Sequence, residues 1–417
     1  MKKAFLLLLI TIQIQTFGQS IFLENVSIID VVNNQILDSK TIEIKEGIIY
    51  KIHNDNYTIT PNDTLINLKG KYAIPGLIDS HTHIEHSAYW SEASKYNPPR
   101  ENLLDLLRHA VYGGLTTIRE MACDVRVIGE LSRAAKLNLI PSPNIYYPSL
   151  FAGPRFFEDP RADAGARGEI AGKISWFRGI DDTTDLPNAI AQAKGNSSHA
   201  LKLYALLNAE QIKTIVQEAH NQNLKVWSHA YTQYAKPSEI MASGVDGVSH
   251  APLLLYELNK KPDYSNYPED DTLLQNVFKA MKANNVSFDP TLFVYNHVPK
   301  RQDRSKVAKT ITQKAHEAGV RIIAGTDSIS AYKEEKLPFI HKEMNFYANA
   351  CDFSNMEALK TATINAAITL GINNETGSVE ENKKANIIIL DKNPLENISH
   401  TETIFFVIKD GIIFKDD

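Results

Sequence analysis

What most limits the folds open to this chain is a rhythm. Between about residues 71 and 370, short apolar runs alternate with amphipathic stretches of helical period, the pattern of a parallel sheet whose strands are joined by helices. Eight runs have strand length: residues 73–78, 115–121, 144–148, 200–205, 224–230, 247–251, 286–293 and 320–326. Helical stretches such as 101–111, 209–222, 273–283 and 305–318 fall between them. Eight β/α units imply an α/β fold closed into a (β/α)8, TIM-like barrel. A doubly wound open sheet is the alternative, but no G-x-G-x-x-G follows the first run to support one.

Both ends of the chain have a different period. Thr41-Ile42-Glu43-Ile44-Lys45 alternates up to Glu46-Gly47 and resumes in Ile48-Ile49-Tyr50, a hairpin signal. Lys409-Asp410-Gly411-Ile412-Ile413 nearly copies Lys45-Glu46-Gly47-Ile48-Ile49. Isolated hairpins are marginal in water, so residues 19–70 and 372–417 are expected to combine into one small β-sandwich domain, with the barrel, 71–371, inserted between them. Ahead of both, Lys2 and Lys3 precede an apolar run that ends in small residues near Gln19. The run is well short of the roughly 20 apolar residues a membrane span needs and reads as a signal peptide over residues 1–18. The expectation is an exported protein, periplasmic or secreted, with no membrane span once the signal is removed.

Composition narrows the partners. With 44 Lys and Arg against 49 Asp and Glu, a net charge of -5 and no basic block, a nucleic-acid surface has no support. A small-molecule amide or dipeptide is the expected partner, and a homo-oligomer is compatible with the sequence. The two cysteines, Cys123 and Cys351, lie too far apart for a Cys-rich zinc site or a disulfide framework. Any metal must therefore be held by histidine, carboxylate or something rarer.

The first barrel run leads into Asp79-Ser80-His81-Thr82-His83. Residues i and i+2 of a strand face the same side, so His81 and His83 can present two imidazoles to one point. Alone, an H-x-H pair specifies little. The other runs add to it: Lys202 ends the fourth, His229 the fifth, His250 the sixth and Asp327 the eighth. Active sites of such barrels lie at the carboxyl ends of the strands, so these six groups should converge on one mouth. Four imidazoles and a carboxylate suit zinc or another borderline divalent metal. Arg119, Glu120 and Tyr231 stand close enough in sequence to support ligands or touch substrate, or simply to pair structurally. His86, His109, His220, His316, His341 and His400 fall on helical or loop stretches and read as surface residues.

The segments P-G-L-I-D-S-H-T-H at 75–83, L-K-L-Y at 201–204, W-S-H-A at 227–230, V-S-H-A at 248–251 and A-G-T-D at 324–327 resemble the amidohydrolase superfamily. The resemblance is strongest to the branch of imidazolonepropionases and prolidase-like dipeptidases, and it covers the whole chain after the signal. It implies two divalent ions, Zn2+ by preference. His81, His83 and Asp327 would hold one, His229 and His250 the other, and Lys202 would bridge them as a carbamate. It further implies a shared hydroxide as nucleophile and Asp327 as general acid/base, with Asp327 and His250 the catalytic candidates. The activity implied is hydrolysis of a C–N bond in a dipeptide or N-acyl amino acid. Two alternatives stand beside it: a mononuclear cyclic-amide hydrolase or deaminase in which Lys202 is only structural, and an exported ligand-binding barrel that has lost activity.

The connection over residues 150–182 is long and interleaves aromatics with arginines. Connectors of that length in compact domains are usually functional. It is expected to form a lid over the mouth, with Arg155, Arg161 or Arg178 gripping a substrate carboxylate.

Overall fold

The computed structural model describes residues 19–54, 56–87, 100–329 and 335–415; the expected signal segment lies outside them. Among the described residues, no helix is long and apolar enough to cross a membrane.

The chain begins in a sheet. β1 (Ser20–Asp30) pairs antiparallel with β2 (Gln35–Lys45), which pairs with β3 (Ile48–His53). Along its other edge β1 takes β4 (Thr64–Asn67) and then β5 (Tyr72–Pro75) as parallel neighbours. Tyr72–Pro75 thus belongs to this sheet, and the barrel proper opens only after Gly76. At Gly76 the backbone passes so close to Thr116 that a Cβ would lie 2.2 Å from its Oγ1. Glycine alone allows that approach, and it divides what the sequence presents as one run.

The barrel follows. β6 (Leu77–Thr82) pairs with β7 (Leu115–Glu120), and β7 with β8 (Asn144–Tyr146). The third barrel strand is interrupted at Tyr147 and continues as β9 (Pro148–Ala152), which carries the short strands β10 (Lys173–Ile174) and β11 (Phe177–Gly179) on one side. On its other side stand β12 (Ala200–Leu203), β13 (Lys225–His229), β14 (Gly247–Ser249) and β15 (Ser287–Asp289), all parallel. The expected eighth strand forms no regular ladder, yet it closes the ring. Phe288 N donates to Arg321 O and Ile323 N to Phe288 O, both at 2.9 Å, while Ser80 N donates to Ala324 O at 2.8 Å. The expected seventh run, 286–293, also changes character. Its strand stops at Asp289 and Leu292–His297 is helical, because Pro290 has no N–H for a ladder.

The outer helices follow the expected stripes. Helix Ala209–Asn221 is opened by a capping box between Asn208 and Gln211 and buries Ile212, Ile215, Val216 and Ala219, the spacing of one helical face. Each buried Ile or Val contributes about 1.5–3 kcal/mol. The chain then returns to its first sheet. β16 (Ile387–Leu390) pairs with β5, β17 (Ile404–Lys409) with β16, and β18 (Ile412–Phe414) with β17. The resulting 8-stranded sheet encloses a core that includes Leu23, Val26, Ile44, Ile387 and Ile389. Both chain ends therefore build one small β domain, as their shared alternation implies.

Candidate metal centre

The strand ends gather their histidines at one mouth. His83 Nε2 lies 3.1 Å and His81 Nε2 3.4 Å from Asp327 Oδ1, and one ligand atom from each of the three falls within 4.8 Å of the others. The His250 ring centre is 5.0 Å from that of His81 and 4.8 Å from that of His229. Lys202, on β12, is 2% exposed, and its Nζ has no hydrogen-bond partner among the described residues. The barrel thus assembles His81, His83, His229, His250 and Asp327, with the buried Lys202 amine beside them.

Two of these residues turn the chain sharply at the strand ends. His250 has φ 78° and Asp327 φ 55°, conformations that cost a side-chain-bearing residue about 1–3 kcal/mol. Neighbouring strands hold them there: His250 N donates to Asp289 O, and Asp327 N to His81 O, both at 2.9 Å. Gly325 makes the second approach possible, since a Cβ there would sit 2.7 Å from His81 Cβ.

A supporting layer lies below, and the sequence reading assigned parts of it no role. Asp79 accepts from His81 N at 3.0 Å, Thr326 N at 3.1 Å and Thr326 Oγ1 at 2.7 Å, stitching the first strand to the eighth. Asp289 Oδ1 lies 3.2 Å from His81 Nδ1, and its Oδ2 accepts from Ser249 Oγ at 2.9 Å and from Arg119. Arg119 also donates to Ser80 O and lies over the Trp227 ring. Glu120 Oε1 stands 3.8 Å from His83 Nδ1 while Oε2 accepts from Ile84 N at 2.8 Å. Arg119 and Glu120 are therefore supports of the site rather than substrate contacts. The second nitrogen of His250 meets Thr291 Oγ1 at 3.0 Å.

Burial sets the charge states. It holds His81 and His229 well below the usual imidazole range and His250 down to about 3. It also pushes the Lys202 ammonium down to about 7, helped by the Arg119 charge and opposed by Asp289. Burial would raise Asp327, but the hydrogen bond from His83 and the charges of His250 and His81 keep it well below the usual carboxylate range. His83 behaves oppositely. Burial lowers it, but the hydrogen bond to Asp327 and the Asp327 charge outweigh burial and raise it above the usual imidazole value. Neutral imidazoles at His81, His229 and His250 and an ionised carboxylate at Asp327 are donor states that a divalent ion requires.

The donors open into a cavity of about 1150 Å³ lined by His83, His229, His250 and Asp327. Tyr231 lines it too, stacked on Tyr256 at 3.9 Å. The 150–182 segment lines this cavity through Phe156, Ala162, Gly165, Arg167 and Phe177. β11 pairs with β9, Leu150 N donates to Trp176 O and Ile180 N to Ala152 O, so the segment is a wall fixed to the third strand. Its expected arginine clamp needs correction. Arg155 reaches Tyr234 and Arg178 reaches Gln192, and neither lines the cavity. Side chains alternate along a strand, so Phe177 in the cavity wall turns Arg178 away. The Arg161 side chain lies outside the described residues. The arginines that do line the cavity are Arg167, Arg301 and Arg304. Arg301 Nη1 donates to Asp327 Oδ2 at 2.8 Å. One of the histidines read as surface residues is also misplaced: His341 is buried, against Thr401 Oγ1 at 3.0 Å and Gly113 O at 2.9 Å.

A mixed imidazole and carboxylate cluster at the carboxyl mouth of a (β/α)8 barrel, opening into a cavity, defines a metal-dependent hydrolase acting on carbon–nitrogen bonds. The comparisons agree: residues 72–414 match the model of the Amidohydrolase family, and the chain belongs to that family. It is 23% identical over 375 residues to an enamidase from Eubacterium barkeri, covering 88% of this chain and 85% of that one. It is 28% identical over 218 residues to an ochratoxinase from Aspergillus niger, a match spanning 51% of this chain and 42% of the relative. In fold it is similar to the crystal structure of a Xaa-Pro dipeptidase with methionine bound in the active site, at a TM-score of 0.74 and 21% identity over 95% of this chain and 100% of that one.

Proposed function

We propose that the protein is an exported dipeptidase or N-acyl amino acid hydrolase that holds two divalent ions, zinc by preference, with Lys202 carboxylated between them. The observation that carries the substrate class is Arg301, a cavity-lining guanidinium bonded directly to the ligand carboxylate Asp327. A dipeptide or N-acyl amino acid carries a carboxylate a few bonds from its scissile amide, and a planar fork beside the reacting centre can hold it and orient the carbonyl. Resemblance of fold to a Xaa-Pro dipeptidase supports the same class.

His81, His83 and Asp327 would hold one ion and His229 and His250 the other. The Lys202 amine, buried, without a hydrogen-bond partner among the described residues and pushed down to about 7, fits carbamate formation, since its neutral form adds CO2 and releases a proton to leave an anionic carbamate. Bound ions supply Lewis acidity for the scissile carbonyl and lower the pKa of a water from about 15.7 towards 7. Asp327 then accepts the proton of the attacking water and delivers it to the leaving nitrogen, a role worth about 10²- to 10⁴-fold. Arg301 positions the leaving half, and Asp289 keeps His81 in the correct tautomer. Export is supported by the basic and apolar pattern of residues 1–18. Metal analysis followed by a panel of dipeptides, N-acyl amino acids and their C-terminal amides tests the reading. Two ions and turnover of free acids support it. One ion, or turnover confined to cyclic amides or amidines, would overturn it.

A further inference from the structure

The cavity is polarised across the donor cluster. On the side of β13, β14 and β15 its wall carries Lys260, Arg301 and Arg304, suited to the carboxylate half of a substrate. On the side of β6, β7 and β9 the wall carries Glu85, two residues beyond His83 and 5% exposed. Glu85 Oε2 is engaged, 3.1 Å from Arg167 Nη2 and 3.2 Å from Asp124 N. Glu85 Oε1 is buried and has no hydrogen-bond partner among the described residues. A carboxylate oxygen removed from water and left without a donor is costly, and a functional site is one place where such a cost is retained. The same cavity is lined by aromatics, with Phe156 set edge to face against Phe177 at 6.1 Å and against Tyr204 at 5.0 Å. A carboxylate and aromatic faces lining one cavity supply the chemistry that recognises an organic ammonium.

We propose that Glu85 and this aromatic wall form a subsite for an ammonium group carried by the acyl half of the substrate, so that the enzyme selects aminoacyl over plain acyl compounds. The inference rests on the dipeptidase reading and decides between its two substrate classes. The ammonium can be the α-amine of a dipeptide or an ω-amine on a longer acyl chain, and both present the same charge and N–H donors to Glu85 Oε1.

The test compares matched pairs that differ only by the amine: L-Ala-L-Phe with propionyl-L-Phe, and 6-aminohexanoyl-L-Phe with hexanoyl-L-Phe. A charge-assisted hydrogen bond should favour the aminated member by about tenfold or more in kcat/KM. In Glu85→Gln the ratio should fall to within about threefold. The pair that shows the effect identifies an α- or an ω-amine. No preference in the wild type, or a preference kept in Glu85→Gln, overturns the subsite. If no member is hydrolysed, the dipeptidase reading fails, and binding still decides the subsite. L-Phenylalaninol should bind the wild-type protein about tenfold more tightly than 3-phenylpropan-1-ol in calorimetric titration, with the difference lost in Glu85→Gln. Equal binding of the two by the wild type overturns the proposal without reference to any variant.

Discussion

Asp289 Oδ1 lies 3.2 Å from His81 Nδ1, so the carboxylate that ends the seventh barrel strand fixes the ring that ends the first. The other oxygen of Asp289 is held by Ser249 and Arg119, which leaves the carboxylate little freedom to follow a misplaced ring. A histidine ligand oriented in this way presents Nε2 to the metal in one tautomer and is a better base.

Asp289→Asn keeps the size of the side chain and removes its charge. Metal affinity should fall by about 10- to 100-fold, with the loss confined to the ion that His81 helps to hold. Titration of the stripped protein with Zn2+ measures this. Two sites of unchanged affinity would show that Asp289 only fills space beneath the ring.

Lys202→Ala should lose one of two ions and most turnover, because it removes the only group proposed to supply a bridging anion. Short carboxylic acids added to the variant should restore part of the activity by occupying the vacated volume. A variant with two ions and full turnover would leave Lys202 a structural lysine.

Arg301→Gln should act on the substrate's free carboxylate. The Arg301 side chain is 44% exposed and makes its bond to Asp327 from the cavity wall, so a substrate carboxylate can compete for it. The expected result is a rise in KM for free-acid substrates of about tenfold or more, from loss of a charged hydrogen bond, with a much smaller change for the corresponding C-terminal amides. Equal losses on both would place Arg301 with Asp327 alone.

The candidate ligands His81, His83, His229, His250 and Asp327 are legible because each closes an apolar run, and strand alternation carries such a residue to the mouth without further information. Asp289 was hidden by the same logic. Val286-Ser287-Phe288-Asp289-Pro290 flows into Leu292 and Phe293, so the carboxylate reads as the interior of one long run, and only Pro290 marks the true strand end. The direction of Arg178 depends on alternation, which composition does not carry: Phe177 and its neighbour face opposite sides of β11. His341 shares a helical face with Met344 and Tyr347, and that spacing signals burial more reliably than the polarity of imidazole suggests. The break at Gly76 and the irregular eighth strand depend on distances between strands, which no local pattern encodes.

His341 carries the last expectation. Burial holds its imidazole down to about 4, whereas a histidine in an unfolded chain titrates near 6.5. Between those values the unfolded chain binds more protons than the folded one. The contribution is therefore complete above about pH 6.5, declines as the pH falls from there, and levels off below about pH 4. Its full size is about 3 kcal/mol. His199, which burial also holds down to about 4, adds a loss of the same sign, so the wild-type slope alone does not isolate His341. The variant His341→Gln does, since its amide can donate to Gly113 O and accept from Thr401 while carrying no titratable proton. Urea unfolding at pH 7.0 and 4.5 should show a smaller acid destabilisation in the variant than in the wild type, although the variant starts from a somewhat lower stability at pH 7.0. If both proteins lose the same stability over that interval, His341 is not the group that charges on unfolding.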